Sequence, residues 1–396
     1  MAPLVSVLLP TRDRLEFLRY AIETVRRQEH DDWELVVSDN DSRDDVEGHV
    51  LGLGDERIRY VRTASFVPVT DNWNNALAHS RGRYVVMLGD DDGLMPGYVG
   101  RIRELVERYD EPDVIYGGAW LYSYPGVDPA EAAGYLQPYG YAQFMRGARE
   151  PFVLDRSTAR EMVRHAMRFR MRYGFNMQFS TVSRRLVDQL APQGPFFQSA
   201  FPDYYATNVA FLTARRIVVE PRPLVAIGIT PKSYGFFHLN DREEVGKSFL
   251  EALPDEAARE RLKAIEMPGT NINTGWLSAL EAIRARYGDL IPAAPGHRRF
   301  RLLQSVSVYE GHYLAGTVTA EQLAAMERYL RPRERALARA AMGVAKLAAR
   351  LLPPRISSGL HAAFHHLVLG QYIAWNPPKL RGAYATLLDV FERPPA

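Results

Sequence analysis

Four short apolar runs separated by helical patterns constrain this chain more than any other feature. Val5 to Leu9 is β-branched and apolar and stops at Pro10. Leu15, Leu18, Ile22 and Val25 then recur at helical spacing, with Thr11 or Asp13 placed to cap. Glu34 to Ser38 is a second strand closing on the turn-rich stretch Asp39 to Asp44, and Ile58 to Val61 is a third. Asn72 to Ser80 suits a helix, and Tyr84 to Leu88 is a fourth strand that runs into Gly89, Asp90, Asp91, Asp92 and Gly93. Repeated strand–helix units of this length predict an α/β fold with a Rossmann-like, mostly parallel central sheet and flanking helices. Ligands of such sheets sit outside the carboxyl ends of the strands, where both acidic turns fall.

The rest of the chain reads less regularly. From about Val114 to Ile229 strands mix with loops rich in Tyr and Phe, and Ile217 to Ile229 reads as two extended segments broken by Pro221 and Pro223. Aromatic faces there, such as Trp120, Tyr139 and Tyr173, suit either sugar stacking or core packing. Beyond Leu239, Glu243 to Ala264, Thr274 to Tyr287, Ala320 to Leu330 and Glu334 to Leu352 suit helices, which predicts a separate C-terminal helical region.

Composition removes several classes of function. With no cysteine among 396 residues, disulfides, thiolate catalysis and cysteine-ligated zinc are excluded, and a reducing cytoplasm fits. Lys and Arg total 49 against 47 Asp and Glu, a net charge of +2 that makes no electrostatic case for nucleic acid. Apolar residues make up 46% of the chain, enough for a large core. Met1 to Pro10 reads as a strand rather than a signal peptide, and no run of about 18 uncharged apolar residues predicts a membrane span.

The acidic turn carries the chemistry. Three adjacent carboxylates repel one another, and a bound divalent cation is one way to keep them ionised; a solvated acidic turn is the other. Mg²⁺ and Mn²⁺ take oxygen ligands, typically one or two carboxylates plus substrate phosphate oxygens. Asp39, at the end of its strand, can accept a hydrogen bond from a base or ribose, or simply form a turn.

These residues resemble glycosyltransferase family 2, an inverting family with the GT-A fold. The resemblance rests on Val5 to Arg12, on Gln28 with Trp33 to Asp39, on Asn74 with Ala76 to Tyr84, and on Leu88 to Asp92 in place of that family's Asp-x-Asp region. It implies a nucleotide diphosphate sugar donor, UDP-linked by preference, and a Mn²⁺ or Mg²⁺ cofactor. Pro10, Thr11, Arg12, Asp39, Asn74, Asp90 and Lys232 would contact the donor, and Asp91, Asp92 and His238 would hold the metal. Asp203 would be the general base, although a helix N-cap is the plain reading of that residue. The implied division is 1–120 for the nucleotide-sugar half, 121–240 for the acceptor half and 241–396 for the helical region. The expected reaction moves a sugar to a carbohydrate, lipid-linked or small-molecule hydroxyl in glycan, glycolipid or natural-product biosynthesis. No Gln-x-x-Arg-Trp motif occurs, which argues against a processive synthase.

Two rivals follow from the same residues: a haloacid-dehalogenase-like phosphatase built on Asp90 and Asp92, and a sugar-binding scaffold without turnover. The phosphatase lacks the usual Thr or Val at Leu94. Finally, Arg331, Arg333, Arg335, Arg339, Lys346 and Arg350 interleave with Leu337, Val344, Leu347, Leu351 and Leu352. Such a helix over 331–352 suits the surface of an anionic membrane, on its inner face for a cytoplasmic protein. It equally suits a helix packing its apolar side on the protein. His361 and His365 share a helix face without a partner motif and read as surface residues.

Overall fold

The computed structural model describes residues 2–395 apart from 129–130, 140–141, 234–259, 261–262, 354–355, 357–358, 361–362, 364–378 and 382–383. The expected strands and helices of the first third all form, as β1 (Val5–Thr11), α1 (Leu15–Arg26), β2 (Trp33–Asp39), β3 (Ile58–Arg62), α3 (Val69–Ala78) and β4 (Tyr84–Met87), and an unexpected short helix, α2 (Val46–Gly52), stands between β2 and β3. Both β1 and β2 are buried almost throughout, which is why they read as apolar runs rather than as alternation. Then come β5 (Gly93–Leu94), α4 (Tyr98–Arg108), β6 (Val114–Ser123), β7 (Tyr135–Pro138), β8 (Phe152–Leu154), α5 (Arg156–Met167), β9 (Ser180–Ser183), α6 (Arg184–Leu190), α7 (Pro202–Thr213) and β10 (Ile217–Ile229).

One ten-stranded sheet runs in the order β3-β2-β1-β4-β9-β6-β10-β5, with β7 on β6 and β8 on β10. The strands β3, β2, β1 and β4 are parallel, β6 and β10 are parallel, and β9 enters antiparallel between β4 and β6. Residue 120 lies inside β6, so the two halves of the sheet share a strand.

Three local expectations change. The stretch from Ile217 to Ile229 is one strand, not two segments: its register shifts around Pro223, and the prolines sit where the ladder is irregular. Neither Thr11 nor Asp13 caps α1. The Asp44 side chain reaches across to accept from the Leu15 amide at 3.0 Å, while Asp13, in the left-handed region at φ 52°, accepts from Arg43. Third, the C-terminal helical region is not wholly separate, since its first helices join the core of the sheet. Helices α8 (Asn271–Tyr287) and α9 (His297–Glu310) contribute Leu277, Leu280, Ile283, Phe300 and Leu303 to the cluster that packs the sheet, and Trp276 stacks on Tyr204 of α7.

Nothing in the sequence marked α9, whose first turn carries His297, Arg298 and Arg299 against the helix macrodipole. Its anchor is tertiary: buried Gln304 bonds the Thr270 amide and carbonyl and the Asn273 side chain. A second apolar cluster of Tyr309, Leu323, Met326, Leu330 and Met342 joins α9 to α10 (Ala320–Glu327) and α11 (Pro332–Leu351). The last described helix, α12 (Leu387–Glu392), returns to pack on α1 and β5, with Leu387 beside Gly93. The expected helix over Glu243 to Ala264, and His361 and His365, lie almost wholly outside the described residues.

Candidate active site

Parallel register brings the sequence motifs to one edge. Thr11, the last residue of β1, lies opposite Asp39, the last residue of β2. The Thr11 hydroxyl donates to Asp90 Oδ2 at 2.8 Å, so the two acidic turns meet through one side chain. Asp90, Asp91 and Asp92 are all buried. The solvated-turn reading is therefore excluded.

Buried carboxylates need partners. Asp90 and Asp91 share Arg14, whose guanidinium donates to Asp90 Oδ1 at 2.7 Å and to Asp91 Oδ2 at 2.8 Å. The same guanidinium donates to Thr230 Oγ1 at 2.8 Å, and the Ser233 hydroxyl donates to Asp91 Oδ2. Burial opposes the charge on Arg14, but Asp90 and Asp91 outweigh it and hold the group protonated. Burial and the Asp91 charge push Asp90 and Asp92 above the ordinary carboxylate range, while Arg14 pulls Asp90 back.

Asp92 faces inward. Its Oδ1 accepts from the Gly228 amide at 2.8 Å, and its Oδ2 from the Gly89 amide at 2.8 Å and from Gln178 Nε2 at 2.6 Å. A Cβ at Gly228 would stand 1.9 Å from the Asp91 carbonyl oxygen, so only glycine lets β10 approach the turn this closely. The Tyr124 hydroxyl donates to that same carbonyl at 3.2 Å.

These contacts divide the triplet. Both Asp90 oxygens and both Asp92 oxygens have donors, whereas Asp91 Oδ1 has no hydrogen-bond partner among the described residues. A hard cation held by one carboxylate oxygen and by substrate phosphate oxygens fits such a donor set. Among the described residues no group of three or more His, Asp or Glu forms a cage that would hold a metal by protein ligands alone. His238 lies outside the described residues.

Asp39 is fully buried. Its Oδ1 accepts from the Ser42 amide at 2.9 Å, and its Oδ2 from the Tyr60 hydroxyl at 2.8 Å and Arg62 at 2.9 Å. Lone-pair capacity remains on Oδ1 for a further donor. Pro10 sits opposite Ser38 at the sheet edge, and the Arg12 guanidinium lies 3.9 Å over the Phe66 ring. Lys232 is exposed and pairs with Glu16 at 2.8 Å, on the loop that also carries Thr230 and Ser233. Asn74 holds the segment before α7: its Nδ2 donates to the Phe197 carbonyl at 2.9 Å and its Oδ1 accepts from the Phe197 amide at 3.2 Å.

Asp203 is the second residue of α7; Phe201 takes the N-cap position, and its side chain makes no cap hydrogen bond. Burial pushes the Asp203 carboxyl up to about 6, against the lowering effect of the Tyr204 amide. Its charge also reaches Tyr139, which burial chiefly raises to about 12. Asp203 shares a helix face with Thr207 four residues on. Thr207 donates to the Phe175 carbonyl at 2.8 Å, and Gln178, three residues beyond Phe175, reaches Asp92. Short links thus join α7 to the acidic turn.

Arg14, Gln178, Tyr60 and Arg62 were not singled out by sequence reasoning. Arg14 did leave a signal: an arginine at a helix start is unfavourable there unless a carboxylate holds it.

Comparison with known proteins finds similarity over the same part of the chain. Residues 6–169 match the model of glycosyl transferase family 2. A Campylobacter jejuni GalNAc(5)-diNAcBac-PP-undecaprenol beta-1,3-glucosyltransferase is 34% identical over 105 residues, which are 26% of this chain and 34% of that protein. The Escherichia coli UDP-Glc:alpha-D-GlcNAc-diphosphoundecaprenol beta-1,3-glucosyltransferase WfgD is 32% identical over 89 residues, 22% of this chain and 35% of that one. The chain thus spans about a third of the length of these curated relatives. The crystal structure of S. aureus TarS 1-349 with UDP-GlcNAc aligns over 82% of this chain and 91% of that one, with TM-score 0.47 and 15% identity, too loosely to bear on the chemistry. The ordered motifs, Val5 apart, and the acidic turns they carry to the sheet edge all lie within residues 6–169, the stretch that is similar to glycosyl transferase family 2.

Proposed function

We propose that this chain transfers a sugar from a nucleoside diphosphate donor, UDP-linked by preference, to an acceptor hydroxyl with inversion, as a non-processive enzyme. The observation that carries the reading is the joining of Asp39, Thr11, Asp90 and Asp91 at the carboxyl edge of the parallel strands. Asp39 would accept from the base or ribose, and Asp91 Oδ1 would hold Mn²⁺ or Mg²⁺ together with the diphosphate oxygens. A bound divalent ion would offset the charge that grows on the leaving diphosphate. Asp90 and Arg14 fix Asp91 in place, and Asp92 ties the turn to β10. Lys232, on the neighbouring loop, would meet the diphosphate from the other side, and Arg12 and Pro10 would line the donor edge.

Asp203 would act as the base. The acceptor oxygen bonds to the anomeric carbon as the bond to the diphosphate oxygen breaks, and the hydroxyl proton passes to the Asp203 carboxylate. A carboxyl raised to about 6 is a better proton acceptor than an ordinary one yet stays ionised at neutral pH. The names of the two curated relatives specify undecaprenol diphosphate-linked substrates, which favours a lipid-linked acceptor here.

Incubation with UDP-, GDP- and dTDP-sugars in Mn²⁺ or Mg²⁺ tests the reading through release of the nucleoside diphosphate. Release from one donor class, abolished by chelation and by Asp91→Ala, is the expected result. Turnover that persists in excess chelator would overturn the metal role, and orthophosphate as the product would restore the phosphatase.

A further inference from the structure

Helix α11 (Pro332–Leu351) turns its apolar side away from the protein. The side chain it buries is Met342, which packs with Ala338 against Tyr309, Leu323, Met326 and Leu330. Leu337, Val344, Leu347 and Leu351 are spaced by seven, three and four residues, which puts them on one face. That face lies opposite Met342, and its residues are 73%, 70%, 56% and 73% exposed. A helix that packed its apolar side on the protein would have buried them.

Charge shows what this face suits. The helix carries five basic residues against the single Glu334, a net of +4 in a chain whose total is +2. Arg339 is engaged by Glu327 at 2.6 Å, but Arg333, Lys346 and Arg350 make no ion pair with another described residue. Arg350 falls on the flank between the inner and outer faces, Arg333 lies one turn before Leu337 on the outer side, and Lys346 lies one turn beyond Met342 on the inner side. An apolar strip with a basic flank matches the interface of an anionic bilayer, where alkyl side chains enter the headgroup boundary and cations meet acidic headgroups. A second copy of the same helix would bring like charges together, which disfavours self-association through this face.

We propose that α11 docks the protein on an anionic lipid surface, with Leu337, Val344, Leu347 and Leu351 inserted and Arg333 and Arg350 on headgroups. Among the described residues no helix is long and apolar enough to cross a membrane, and the proposed contact has α11 lying on the surface. Docking does not depend on the transfer reaction, and the assay below reads no turnover, so its failure would leave the proposed chemistry standing.

The test is flotation of the full chain with phosphatidylcholine vesicles, with and without phosphatidylglycerol. We expect flotation with the anionic vesicles alone, released by raised salt. The Leu337→Glu/Leu347→Glu double variant, and separately Arg333→Glu/Arg350→Glu, should lower the bound fraction about tenfold or more. All four positions are exposed, so unchanged far-UV circular dichroism and melting temperature are expected in both variants. Absence of flotation by the native chain, or equal flotation by the Leu337→Glu/Leu347→Glu variant, would overturn the proposal. So would a concentration-dependent dimer that the same substitutions dissolve, since a second copy would then be the occupant.

Discussion

At the sheet edge three carboxylates are buried, and along α11 four large apolar side chains stand in solvent. Each arrangement reverses the usual partition of polar and apolar groups. They differ in how the chain compensates. Arg14, Thr11, Gln178 and the amides of Gly89 and Gly228 satisfy the acids from within, leaving one oxygen of Asp91 open among the described residues. Along α11 no described residue covers the apolar face. The first region is a pre-organised polar site whose cost is met by neighbouring elements, and the second is the exposed face on which the proposed lipid docking rests.

Substitutions can break or sharpen this contrast. Asp91→Ala should reduce kcat/KM for sugar transfer by about 10³ or more, since it removes the open oxygen while Asp90 keeps its bond to Arg14. Steady-state kinetics of nucleotide release would measure it, and a loss below tenfold would place the cation elsewhere. Asp203→Asn should lower kcat by about 10² to 10³ with donor affinity by calorimetry unchanged. In the native protein the transfer rate should climb as pH rises through about 6 and then level off, as Asp203 loses its proton.

Stability reports the same carboxyl with a definite sign. Its folded pKa of about 6 lies above the ordinary 3.8, so the folded state binds the proton more tightly than the unfolded chain. The contribution of Asp203 is therefore greatest at low pH and is lost as pH rises from about 4 to about 6. Asp203→Asn should accordingly be more stable than the native chain at pH 7 in denaturant unfolding, as expected where function is bought with stability.

Arg14→Ala should destabilise the fold by about 3 kcal/mol, because two buried carboxylates lose their shared cation. Adding Asp91→Asn should recover part of that loss; no recovery would show that the arginine acts through packing alone. Gly228→Ala should cost about 2 kcal/mol by driving β10 off the turn, given the 1.9 Å approach to the Asp91 carbonyl. Leu347→Ala should shift stability in solution by no more than about 0.5 kcal/mol, as a 56% exposed side chain has little packing to lose. A larger loss would mean that α11 is covered in solution.

Much of the site was legible because it is written in local pattern. The strand ends at Thr11, Asp39 and the turn from Asp90 to Asp92 follow from apolar runs that stop at polar turns, and parallel pairing then brings those ends together. The residues that were not legible act across long sequence separations. Arg14 reaches Asp90 and Asp91, Asp44 caps α1 from the following turn, Gln178 closes on Asp92, and Gln304 anchors a helix whose first turn is unfavourable.

The amphipathic pattern of 331–352 was equally visible, with the direction of its apolar face left open. Periodicity fixes which residues share a face, because the helix repeat is a property of the backbone alone. Which face meets the protein depends on what the neighbouring elements offer. Here Tyr309, Leu323, Met326 and Leu330 accept Met342 and leave Leu337, Val344, Leu347 and Leu351 outside. The sequence by itself determined the α/β class, the strand order signals and the acids at the sheet edge. Only the tertiary structure decided which carboxylate oxygen stays open and which way α11 faces, because both depend on partners distant in the chain.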